Sequence, residues 1–144
     1  MSILHLCDEK PATVRPDNTV AEAINVMLKK SVGAVAVVDS ENRVAGIFTE
    51  RDVLKKLALS GRDPDKIPVQ ELMTTPVELA TLDTTPGEAL EEMIECHFRH
   101  LPVVDNTGRL LGLLSIRNLL QWRVEELTQQ LDTMEQFAND AHGG

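Results

Sequence analysis

Apolar positions along this chain change period in a fixed order, and the whole order then occurs a second time. Val20, Ala23, Ile24, Met27 and Leu28 recur at helical spacing, and Pro86, Ala89, Leu90, Met93 and Ile94 repeat the stripe. Ala34 to Val38 and Leu101 to Val104 are short, apolar runs rich in β-branched residues. Each is followed by a polar turn and a second apolar run, Val44 to Phe48 and Leu110 to Leu114, which predicts a buried hairpin. Thr49 and Ser115 then open a second helix, and the segments Ala12 to Val14 and Val77 to Ala80 can supply a further strand. Each half therefore reads strand, helix, strand, strand, helix, an α+β arrangement.

The two halves are copies. Thr19 to Leu54 recurs without a gap at Thr85 to Leu120, at a constant offset of 66 residues, with 11 identities in 36 positions. Unrelated sequences of ordinary composition would give roughly 2. A unit of this length that cannot bury its own apolar face must pack against its twin, so the pair is the folding unit and the seam between copies is the natural place for a ligand. We expect copy 1 over residues 1–60, copy 2 over 67–122, and a C-terminal helix and tail over 123–144. Ser60 to Pro68, rich in Gly, Pro and charge, reads as the connecting loop. In the last segment Leu120, Val124, Leu127, Leu131, Met134 and Ala138 alternate at spacings of four and three. That stripe either packs on its own domain or joins two copies of the chain. Trp122 and Phe137 lie off it and are expected to cover the domain body, and Asn139 to Gly144 to form a disordered tail.

Composition changes the picture only at the edges. With 144 residues, 42% hydrophobic and 26% charged, the chain has the makeup of one soluble domain. A net charge of -9 argues against a nucleic-acid partner, because phosphate would be repelled. An anionic ligand then needs a local basic cluster. Cys7 and Cys96 form no CxxC and no disulfide framework, which fits a reducing compartment, and both read as small core hydrophobes. The opening lacks a secretory signal and no stretch is apolar enough for the membrane, so the expected location is cytoplasmic.

The most specific local signal is Gly46-Ile47-Phe48-Thr49-Glu50-Arg51-Asp52, mirrored by Gly112-Leu113-Leu114-Ser115-Ile116-Arg117-Asn118. Thr-x-x-Asp and Ser-x-x-Asn suit simple helix caps. They equally suit a nucleotide, since a carboxylate can accept from both vicinal ribose hydroxyls while a hydroxyl and free N–H groups meet phosphate. Metal binding by Cys96, His97 and His100 is disfavoured, because they straddle a helix end and a strand start without a further partner. Arg43 and Arg109 are expected to be solvated in the hairpin turns, and the Glu91-Glu92 and Glu125-Glu126 pairs to be exposed helix faces.

The duplicated unit, the phrase LPVVD and the G-x-x-[ST]-x-x-D turn resemble a tandem pair of CBS domains, a Bateman module, of the small stand-alone bacterial kind. The resemblance covers nearly the whole chain. It implies two CBS repeats packed about a pseudo-two-fold axis. It also implies a regulatory receptor for an adenine compound (AMP, ADP, ATP, NAD or S-adenosylmethionine) usually without catalysis of its own, often a dimer of pairs; no metal is expected, and the target protein is left open. On the family motif, Asp52 matches the ribose-binding acid and Thr49 its hydroxyl partner, while Arg99 and His100 of the other copy match phosphate-binding positions. Arg51 is a weaker phosphate candidate, and Ile47, Val77, Glu78 and Pro102 match the adenine pocket, although Val77 and Pro102 suit a plain core equally well. A second site, at Ser115 and Asn118, is expected to be weaker: Asn118 replaces the acid, and Gly33 and Ala34 stand where the other copy has Arg99 and His100. A protein-interaction scaffold with a degenerate pocket is the alternative.

Overall fold

A computed structural model describes residues 2–8 and 10–142, with side chains to residue 140. Copy 1 runs β1 (Thr13–Val14), α1 (Val20–Lys30), β2 (Ala34–Val38), β3 (Val44–Thr49) and α2 (Glu50–Asp52), which continues as a π-helical turn, Val53–Leu57. Copy 2 runs α3 (Pro86–Cys96), β4 (His100–Val104), β5 (Leu110–Ser115) and α4 (Ile116–His142). β1 lies parallel to β2, and β2 antiparallel to β3. In copy 2 the antiparallel β4–β5 pair carries only a parallel bridge, Ala80 to Val103, where copy 1 has its first strand.

The same devices start and stop the paired elements. Thr19 caps α1 by accepting from the Glu22 N–H at 3.1 Å, and Thr85 caps α3 by accepting from the Glu88 N–H at 3.1 Å. Both helices end on a left-handed residue, Ser31 (φ 53°) and His97 (φ 60°), which turns the chain into the next strand. In each hairpin turn one aspartate oxygen accepts two backbone N–H groups: Asp39 from Glu41 and Arg43, Asp105 from Thr107 and Arg109. Those bonds hold the Asp105 carboxyl below its ordinary pKa, the Thr107 hydroxyl contributing most.

The copies meet hairpin to hairpin. Val44 N–H donates to Gly108 O at 3.1 Å, and its equivalent, Leu110 N–H, donates to Asn42 O at 2.9 Å, with Arg43 opposite Arg109. The two bonds are exchanged by the offset of 66, which carries Val44 to Leu110 and Asn42 to Gly108, and this places the pseudo-two-fold axis there. Along the seam Ala34, Ile47 and Leu113 pack together with Val77, and Ala36, Val38 and Leu110 with Val44.

The segments that precede each copy cross over. Ile3 is fully buried in the core of copy 2, with Leu101, Leu114 and Leu119, whereas Ile67, Val69 and Leu72 are buried in the core of copy 1, with Val20, Val35 and Phe48. The segment expected as a plain loop, Ser60 to Pro68, thus delivers a core residue, Ile67, after a short 3-10 turn at Pro64–Lys66. The crossings explain the glycine that begins each signature turn. A Cβ on Gly46 would lie 2.6 Å from Met73 Sδ and 2.9 Å from Thr74 O, and one on Gly112 would lie 2.8 Å from Cys7 Cβ.

Three expectations need correction. Cys96 is exposed, because it ends α3 on the outer side, while Cys7 is half-buried and packs against the core of copy 2, its thiol pushed up to about 11 chiefly by burial and secondarily by Asp8. Phe137 is 76% exposed, because α4 has run past the domain body by that point, and Trp122 alone of the pair stays half-buried beside α3. Asn139 to His142 are helical, since no breaker interrupts α4 before Gly143, and the final two residues of the expected tail lie outside the described ones. Among the described residues no helix is long and apolar enough to cross a membrane.

Candidate functional site

The strand β3 ends at Thr49, and the chain turns there into α2 with the Thr49 hydroxyl accepting from the Asp52 N–H at 3.2 Å. The return half of the capping box comes from Asp52, whose Oδ2 accepts from the Thr49 N–H at 3.0 Å and the Thr49 hydroxyl at 3.2 Å. Asp52 is 5% exposed and is the one charged side chain buried among the described residues. A buried carboxylate is tolerated only when its oxygens are met by donors. The second oxygen, Oδ1, accepts from the Thr74 hydroxyl at 2.9 Å and pairs with Lys56 Nζ at 3.0 Å. Neither residue was singled out from the sequence. Lys56 stands four residues on, a helical ion-pair spacing that was legible. Thr74 arrives on the crossing segment, and nothing local announces it.

The second turn repeats the cap without the charge. Asn118 Oδ1 accepts from the Ser115 hydroxyl at 2.5 Å and the Ser115 N–H at 3.3 Å, and Ser115 Oγ accepts from the Asn118 N–H at 3.1 Å. The position equivalent to Lys56 is Trp122.

From copy 2, the start of β4 reaches the turn of copy 1. A Cβ on Gly33 would sit 3.4 Å from both His100 Cε1 and Glu50 Oε1, so the imidazole and the Glu50 carboxylate lie side by side against Gly33. Burial lowers the His100 pKa from its ordinary 6.5; Glu50 acts against that, Arg99 with it and Asp8 against it. His100 is therefore a neutral hydrogen-bonding group near pH 7. Arg99 is exposed and keeps its charge. Arg51 Nη1 donates to His97 O at 2.9 Å, which fastens α2 to the end of α3.

The expected free N–H groups at the start of α2 are largely used. Glu50 N–H donates to Gly33 O at 3.0 Å, and the Asp52 N–H to Thr49, leaving anion capture to side chains. Of the expected adenine-pocket residues, Ile47 and Val77 meet in the seam, and Pro102 is buried opposite Leu113. Glu78 is exposed beside Glu92, whose carboxyl is raised by desolvation first and by Glu78 second. Two hollows of about 370 and 410 Å³ lie elsewhere, one between Leu90, Ile94 and Trp122 and one around Leu82 and Asn106. Among the described residues no three His, Cys, Asp or Glu side chains are grouped to hold a metal.

The model of the CBS domain matches twice, over residues 3–59 and 69–125. The chain belongs to the CBS-domain family. This CBS pair is 41% identical over 128 residues to an uncharacterized 17.7 kDa protein of Acidianus ambivalens, covering 89% of this chain and 76% of that one. It spans only 20% to 56% of three other relatives. Among solved structures, a CBS-domain-containing protein from Agrobacterium tumefaciens superimposes with a TM-score of 0.76 at 35% identity, covering 85% of this chain and 99% of that one. The CBS pair of the protein MJ0100, solved in complex with 5′-methylthioadenosine and S-adenosyl-L-methionine, shares the fold with a TM-score of 0.77 at 22% identity, covering 88% of this chain and 98% of that one.

Proposed function

We propose that this CBS pair is a non-catalytic cytoplasmic sensor that binds one adenine nucleotide, AMP, ADP, ATP or NAD, at the seam beside Asp52. The observation that carries the reading is the burial of a single carboxylate, held by a threonine cap at the edge of an apolar seam formed by Ala34, Ile47, Val77 and Leu113. In this reading Asp52 and Thr49 hold the ribose, Ile47, Val77 and Pro102 bound the base, and Arg99 supplies the charge for phosphate, with His100 as a neutral donor. The adenosine-based ligands of a fold neighbour support the ligand class. The equivalent turn at Ser115 and Asn118, without a carboxylate, binds weakly or not at all. Following the melting temperature while titrating AMP, ADP, ATP, NAD and S-adenosylmethionine tests this, since a ligand at 100 times its dissociation constant adds about 2.7 kcal/mol. No shift with any of them would favour the scaffold reading, which draws its own support from the internal donors already on Asp52.

We further infer that the sensor is a homodimer joined through α4. Beyond Leu127 every described side chain of that helix is exposed, and Leu127, Leu131 and Met134 form its stripe. Of its five acids, Glu125, Glu126, Asp132 and Asp140 fall at heptad positions that flank the outer face, and Glu135 alone stands beside the stripe. A ligand that favours one geometry of the pair would then reach a target protein through this joint.

A further inference from the structure

The Asp52 carboxylate has about four acceptor sites, and four internal donors fill them: Thr49 N–H, Thr49 hydroxyl, Thr74 hydroxyl and Lys56 Nζ. Two vicinal ribose hydroxyls cannot be added until donors leave. The Thr49 N–H is fixed by the backbone of the cap. Lys56 is 38% exposed on a flexible stem, and its ammonium also donates to Leu72 O at 2.9 Å and lies 3.5 Å from Met73 O. It can therefore withdraw from Asp52 while keeping a partner. The π-helical turn at Val53–Leu57 that carries Lys56 is a second sign that this helix is held out of its regular winding, as recurs at ligand sites. In copy 2 both members of the pair are replaced together, Asp52 by Asn118 and Lys56 by Trp122. The acid and the lysine behave as one unit.

We propose that Lys56 is an affinity-setting residue of the nucleotide site: its ammonium is the resident occupant of Asp52 Oδ1, and the ribose must displace it to bind. The inference rests on the ribose reading of Asp52 given above. When the ligand enters, the ammonium moves off Oδ1, retains Leu72 O and turns toward solvent, and the Thr74 hydroxyl rotates away from the same oxygen. Lys56 thereby lowers affinity for every ligand with a free ribose diol by a similar factor, whatever follows the sugar.

The test is calorimetric binding of adenosine and of AMP to the wild type, to Lys56→Met and to Lys56→Arg. Removing the competing ammonium is expected to tighten both ligands about tenfold, whereas Lys56→Arg, which can still pair with the carboxylate, stays near the wild type. A second readout needs no variant: acetylation of lysines followed by mass spectrometry is expected to label Lys56 faster in the wild type saturated with adenosine than in the free protein. Equal affinities of the wild type and Lys56→Met overturn the proposal. Weaker AMP with unchanged adenosine also overturns it, because Lys56 would then be a phosphate ligand, as does Lys56 labelling that is unchanged or slower with adenosine bound. If none of the proteins binds adenosine, AMP, ADP, ATP, NAD or S-adenosylmethionine, the ribose reading itself fails and Lys56 has nothing to compete with. Binding by the wild type with no gain in Lys56→Met sinks only the role of Lys56.

Discussion

The turns at Thr49–Asp52 and Ser115–Asn118 have the same backbone task and unequal chemistry. Each closes a strand and caps a helix with a hydroxyl and an oxygen three residues on, with donor distances between 2.5 and 3.3 Å. An amide is enough for capping, as copy 2 demonstrates. The charge on Asp52 is therefore surplus to the fold, and it brings a desolvation penalty that Lys56 and Thr74 offset. A costly group that the architecture does not need points to a task outside the architecture.

The comparison breaks most sharply at Asp52. Asp52→Ala is expected to weaken binding of whichever adenine nucleotide shifts the melting curve by about a hundredfold, near 2.7 kcal/mol, while far-ultraviolet circular dichroism stays unchanged. Asn118→Ala is expected to leave that affinity alone. Equal losses from the two variants would make both turns structural and remove the functional asymmetry.

The two glycines that open the signatures sharpen it next. Gly46→Ala drives a methyl group into Met73 and the Thr74 carbonyl, and the backbone oxygen has little freedom to retreat. Gly112→Ala meets Cys7 Cβ at 2.8 Å, one bond from the main chain, so relief requires the N-terminal segment that carries Leu4 and Cys7 to shift. We expect about 3 kcal/mol of destabilisation for the first and about 1 kcal/mol for the second by urea denaturation.

These crossings mark the limit of what the sequence discloses. Periodicity and the offset of 66 made the helices, the hairpins, both caps and the pairing of copies legible, since each depends on neighbours within a few residues. That Ile3 packs into copy 2 and Ile67 into copy 1 depends on contacts formed only after the halves dock, and no local pattern encodes it. Thr74 was invisible for the same reason, whereas Lys56 could have been read from its spacing to Asp52. The start of β4 was legible as a basic pair, but the difference between Arg99, exposed and charged, and His100, half-buried and neutral, is a matter of tertiary burial.

That difference separates two smaller effects. Arg99→Ala is expected to weaken AMP about tenfold and adenosine hardly at all, because only the phosphate loses a charged partner. If adenosine weakens equally in a titration of both ligands, Arg99 supports the fold of the seam and not the phosphate.

The smallest effect concerns His100 and acid. Its folded pKa lies below the ordinary 6.5, chiefly through burial, so between the two values the unfolded chain binds more protons than the folded one. Its contribution to stability is then complete above about pH 6.5 and is lost as the pH falls toward the folded value. Glu50 and Asp8 moderate the loss by favouring the imidazolium, and Arg99 increases it. Moving from pH 7.5 to 5.5 should lower the melting temperature of the wild type by on the order of 2 °C more than that of His100→Gln. An identical acid response in the two proteins would show that the imidazole beside Gly33 and Glu50 titrates freely, and the seam at this point would be wetter than its packing implies.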